Sequence, residues 1–82
     1  MKASTIRKLA KAHSKEALEA GAASIAEDEV DTLGVDGEDL GEKLTHIMLA
    51  LRIVERVASG EAMKDAFRQE MASVRGLLEN ED

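Results

Sequence analysis

The stretch EDEVDTLGVDGEDLGEK, residues 27–43, carries the densest set of potential ligands in the chain. It has eight carboxylates against one lysine, with Gly34, Gly37 and Gly41 spread through its second half. Carboxylates interleaved with glycine suggest a calcium loop, which needs oxygen ligands at positions 1, 3 and 5, glycine at 6 and glutamate at 12. Fixing Gly37 at position 6 puts Thr32, Gly34 and Asp36 at 1, 3 and 5, and Lys43 at 12. The register fails at both ends, and no metal site is expected. Two readings stay open for the run: a solvated connector leading into a helix, or a docking surface for a basic partner.

Other residues with reactive side chains form no machinery either. A di-iron carboxylate bundle needs Glu-x-x-His pairs. Here Glu42 and His46 stand four apart and His13 precedes Glu16, so the motif is absent. Asp39, Glu42 and His46 share one helical face, which reads more simply as a surface pair than as a metal centre. His13 falls on the apolar side of its helix and reads as a packing residue. None of the five serines sits in a nucleophile elbow, and the histidines have no fixed orienting partner for a triad. No phosphate-binding glycine loop or dinucleotide fingerprint occurs. Without cysteine there is neither a disulfide nor a thiolate ligand. The expectation is a non-enzymatic protein without cofactor or metal.

The elements that must present these residues are helices. Eighty-two residues make one domain, burying only about 60–65% of the surface its unfolded chain exposes. Thirteen alanines and a single aromatic residue, Phe67, promise a thin, closely packed core. Apolar residues recur at helical spacing and no stretch alternates as a strand does. The first helix is predicted near 4–29, on Ile6, Leu9, Ala10, His13, Ala17, Leu18, Ala22 and Ile25. Gly21 within it weakens the helix or admits a close neighbour.

A second helix is predicted near 37–58, with Asp36 as N-cap and Asp39 in the first turn. Leu40, Leu44, Ile47, Leu51, Val54 and Ala58 follow a 4-3-4-3-4 spacing, the seam of a helix pair. Met48, Leu49, Ile53 and Val57 widen that seam, so this helix is either central in its bundle or at an oligomer contact. Gly60 ends it, and a third helix near 61–78 follows on Met63, Ala66, Phe67, Met71, Val74, Leu77 and Leu78. The fold class is therefore all-α: an up-down-up three-helix bundle with an acidic connector at 30–36 and a fraying acidic tail at 79–82. A symmetric homodimer would complete it through the seam residues Leu44, Ile47, Met48, Leu51, Ile53 and Val54. It is favoured over head-to-tail association of a basic end with an acidic end because exposed charge pairs contribute only ~0–1 kcal/mol each.

Charge is distributed in blocks. Residues 1–26 sum to +3, residues 27–43 to −7 and residues 44–82 to −2, giving the net −6. Within a helix spanning 4–29 this places cations at the N-terminus and Glu27, Asp28 and Glu29 at the C-terminus, against the dipole at both ends. Up-down-up topology would make a rod with an acidic pole, including the tail, and a basic pole holding Lys2, Arg7, Lys8, Arg56 and Lys64.

The acidic pole, Asp28, Glu29, Asp31, Glu38, Asp39 and Glu42, is the expected contact for a protein partner with a basic surface. A nucleic-acid-binding protein is one such partner, the carboxylates standing in for phosphates. The alternative is a DNA-associated oligomer using Arg7, Lys8, Lys11 and Lys15 as one basic face of the first helix. Net negative charge and the lack of stacking aromatics disfavour nucleic acid. No apolar run is long enough to span a bilayer, and no signal-peptide pattern opens the chain, so a cytoplasmic location is expected.

The stretch IRKLAKAHSKEALEA, residues 6–20, resembles the opening helix of phage DNA-packaging small-subunit proteins. The resemblance covers under a quarter of the chain and is carried by Ala, Lys, Glu and Leu at helical spacing. What it implies is the DNA-associated alternative.

Overall fold

The computed structural model describes the backbone of residues 2–79 and the side chains of residues 2–73. All regular structure in this range is helical, in four elements: α1 Ala3–Ala12, α2 Lys15–Asp28, α3 Leu40–Ala58 and α4 Met63–Glu79. None of them is long and apolar enough to cross a membrane.

The first helix expected near 4–29 is two helices. His13 is extended (φ −127°, ψ 147°), and the Ser14 side chain accepts a hydrogen bond from the Ala17 N–H at 3.2 Å. Ser14 is thus an N-cap, worth about 0.5–2 kcal/mol over a non-capping residue. The break also repairs half of the unfavourable charge order. Lys11 now occupies the last turn of α1 and Glu16 the first turn of α2, each at the end its charge favours. The carboxylates at the end of α2 remain opposed to the dipole, as do Lys2 at the N-cap of α1 and Lys15 at the first position of α2.

The start of α3 also differs from expectation. Its N-cap is Asp39, which accepts from the Glu42 N–H at 2.8 Å, so the helix begins at Leu40 and Asp36 lies outside it. Its far end follows the sequence reading. Gly60 has φ +114°, the Glu61 N–H donates to the Arg56 carbonyl and the Gly60 N–H to the Val57 carbonyl. These two bonds form a Schellman end, in which glycine takes the left-handed position.

α1, α2 and α4 all pack on α3. Ile47, Leu49, Ala50, Leu51 and Ile53 of α3 meet Ile6, Leu9 and Ala10 of α1, Leu18, Ala22 and Ile25 of α2, Val35 of the connector and Ala66 of α4 in one core. A helix apolar on all sides is explained by three neighbours rather than two. The surplus surface expected to drive a dimer is therefore mostly covered: Leu49 and Ile53 are buried, Val57 is half-buried, and only Met48 stands out at 50% exposure.

The shape is a slab of 33 × 32 × 17 Å, not a rod. Nor are the poles as expected. Lys2 belongs to the acidic connector, its ammonium 3.6 Å from the Asp36 carboxylate, and Arg56 is tied into an internal network with Glu61 and Glu70. The Val74, Leu77 and Leu78 side chains and tail residues 80–82 fall outside the described range.

Candidate functional site

Half of the expected acidic pole is consumed by the fold. Asp31 is folded inward, its two carboxylate oxygens accepting from the Leu33 and Val35 N–H groups at 3.0 and 2.7 Å, with Lys43 at 3.5 Å. Asp39 caps α3. Glu42 accepts from the Glu38 N–H at 2.9 Å, and this bond holds its carboxyl below the usual range. Together Asp39 and Glu42 form a variant of the capping box, reaching one residue further out than the usual pattern.

His46 takes no part in a surface pair. It is fully buried, accepting at Nε2 from the Lys2 backbone N–H at 3.1 Å while Nδ1 stands 2.9 Å from the Asp36 carbonyl oxygen. A carbonyl only accepts, so Nδ1 carries the proton and the ring is neutral. Both nitrogens are spent on backbone groups, and the ring fastens the start of α1 and the connector to α3. Asp39, Glu42 and His46 thus do not converge on a common point. Among the described residues no group of three or more histidine or carboxylate side chains is placed to hold a metal ion. His13 is half-buried beside a cavity of about 330 Å³ between α1 and residues 33–36 of the connector.

The charges left over after internal pairing are the ones that segregate. Lys2, Lys15, Lys43, Arg52 and Arg56 each have a carboxylate partner, from Lys15 with Glu55 at 3.8 Å to Arg56 with Glu70 at 2.8 Å. The exposed Arg68 of α4 has none among the described residues, and neither do Arg7, Lys8, Lys11 and Lys64. The last four gather where α1 lies beside α4. There Arg7 stacks 4.7 Å from the centroid of the Phe67 ring, within cation–π range. The stack divides a groove into two lobes: about 390 Å³ edged by Lys11, Met63 and Lys64, and about 420 Å³ edged by Ala3, Ser4 and Lys8. Lys15, expected on this face, lies beyond the Ser14 break and pairs with Glu55.

Most of the unpaired anions collect on α2, with Glu38 of the connector and Asp65 of α4 as the exceptions. Glu16, Glu19, Glu27, Asp28 and its cap residue Glu29 are exposed and without an ion-pair partner among the described residues. Glu29 is left-handed (φ 57°, ψ 34°), the one non-glycine residue with positive φ among those described. Beside it Val30 is 51% exposed. Of the residues expected at the acidic contact, Asp28, Glu29 and Glu38 are free at the surface, and Glu27 joins them.

Sequence reasoning missed two features. One is Glu70, almost fully buried between Arg56 at 2.8 Å and Arg52 at 3.3 Å. Its visible signal is the four-residue spacing of the two arginines, which puts both on one face of α3. The other is the contribution of Phe67 to the basic cluster, which depends on α4 meeting α1 and has no local signal. Lys64, by contrast, lines the groove with Arg7 and Lys8 as the expected basic pole had them.

Comparison with curated proteins and with solved structures returns no match. A family model described as a family of unknown function, DUF6952, matches residues 1–79, and the chain belongs to that family.

Proposed function

We propose that this chain is a small non-enzymatic interaction module that docks a basic protein segment on the acidic end of α2, at Glu27, Asp28 and Glu29. The observation that carries this reading is Glu29 itself. A carboxylate at a helix C-terminus opposes the dipole at about 0.3–1 kcal/mol, and a left-handed backbone at a residue with a Cβ costs roughly 1–2 kcal/mol more. Neither is relieved by an internal partner, and an exposed Val30 stands next to them. Local stability selects against this arrangement, and backbone strain kept at a surface is a pointer to binding. The basic partner includes the nucleic-acid-binding proteins whose phosphate groove such carboxylates can fill.

A fluorescently labelled peptide of alternating Lys and Leu, titrated with the protein, tests the reading. Reversing Glu27, Asp28 and Glu29 to Lys should weaken binding roughly 3- to 150-fold, since three exposed pairs contribute ~0.2–1 kcal/mol each. Equal affinity for both proteins would refute it.

A second reading, nucleic-acid association, is supported by the lack of carboxylate partners for Arg7, Lys8 and Lys11. Tight, steeply salt-dependent retention of DNA in a filter-binding titration would favour it over the first.

A further inference from the structure

We infer that the groove between α1 and α4 receives the acidic end of α2 from a second copy of this chain, so that copies associate head to tail. The inference rests on the docking reading above and names the basic partner.

Three observations lead to it. Internal ion pairs occupy Lys2, Lys15, Lys43, Arg52 and Arg56, and of the five described cations left without one, four (Arg7, Lys8, Lys11 and Lys64) line one groove, Arg68 being the fifth. The same pairing leaves the acids of α2 without cations. The apolar content also matches. Met63 and Phe67 are half-buried in the groove, and Val30 is exposed beside the acidic triplet at the end of α2. An apolar anchor ringed by charge, set against an apolar floor ringed by the opposite charge, is how protein interfaces gain both register and burial.

The two surfaces belong to different helices and do not meet within one molecule, so a partner must bring them together. Because they are different surfaces, the contact is heterologous and each associated copy still offers one free groove and one free acidic end. A nucleic acid supplies anions without an aliphatic anchor for the apolar floor of the groove.

Complementary charge reversal tests the proposal. One variant carries K11E and K64E in the groove, the other E27K and D28K at the end of α2; all four positions are exposed, and circular dichroism checks that each variant folds. Sedimentation with interference optics reads the mass, because the chain has no Trp or Tyr. Wild type at up to about 1 mM, where even millimolar contacts register, should exceed the 8.8 kDa of one chain. Each variant alone should fall to a single chain, and mixing them in equal amounts should restore association, since each supplies the surface the other lacks.

A wild type that stays at one chain overturns the inference, as does a single variant that associates like wild type or a mixture that does not associate. Binding of the Lys/Leu peptide by a wild type that remains monomeric overturns the head-to-tail contact while leaving the docking reading intact. A single-stranded oligonucleotide held by a monomeric wild type and released by K11E/K64E assigns the groove to nucleic acid and overturns it too.

Discussion

His46 shows how far a residue's role can lie from its neighbours in sequence. Next to Glu42 and Asp39 it looks like part of a surface cluster. Its actual partners are the backbone of Lys2 and Asp36, 44 and 10 residues away, and it is fully buried. Nothing local to residues 39–46 signals that, because the partners arrive only when α1 and the connector fold onto α3. Replacing His46 by Leu keeps the apolar volume but leaves an N–H and a carbonyl without their partner. The expected loss is about 1–3 kcal/mol of stability, the penalty for an unsatisfied buried polar group. It would be read as a lower urea midpoint with an unchanged slope. A loss below ~0.5 kcal/mol, the range of an ordinary surface change, would show that water replaces the ring.

At the level of the helices, long periodic patterns were readable and so was the break at Gly60, but the break at Ser14 was not. The apolar spacing of α3 and the glycine that ends it follow from local chemistry alone. The Ser14 break was hidden because Ala17, Leu18, Ala22 and Ile25 continue an apolar pattern that Ile6, Leu9 and Ala10 begin. The signal that was present is a capping serine followed by Glu16, an acid suited to a first turn. Choosing Asp39 over Asp36 as the cap of α3 depends on distant groups, since the Asp36 carboxylate faces Lys2 and its carbonyl faces His46.

The end of α2 is where local rules are broken with no side-chain partner among the described residues to offset them. The turn at Glu29 is held instead by backbone bonds to the Ser24 and Ile25 carbonyls, and a substitution there should separate stability from binding. Glu29→Gly removes both the left-handed strain and the misplaced charge, and after the roughly 0.5–1 kcal/mol of backbone entropy that glycine costs should still raise stability by about 1–2 kcal/mol. It should also weaken the Lys/Leu peptide. Thermal unfolding followed by circular dichroism measures the first effect and anisotropy the second. Unchanged or reduced stability would mean that the C-terminal turn is not strained in solution.

As a whole, the molecule is a thin core organised around one helix. The all-α class and the central place of α3 were legible because apolar residues on every side of a helix require neighbours on every side. That three helices, not two, supply them was not legible, and the expected dimer seam lost most of its exposed surface to that extra helix. The same geometry makes stability depend heavily on α3. For 82 residues the total is about 4–12 kcal/mol at 0.05–0.15 kcal/mol per residue. Leu51 is buried at the middle of α3, in the core that α1, α2 and α4 all share. Leu51→Ala removes apolar contacts and leaves a cavity that closely packed alanines can fill only partly, at a cost of about 2–5 kcal/mol. Because one helix carries the three main interfaces, the loss should appear as one cooperative transition shifted to lower denaturant, with no helix melting separately. Circular dichroism at helical wavelengths across a urea titration gives the midpoint and slope. A loss under about 1 kcal/mol would remove Leu51 from the core, and two resolved transitions would show that the outer helices do not depend on α3 for their stability.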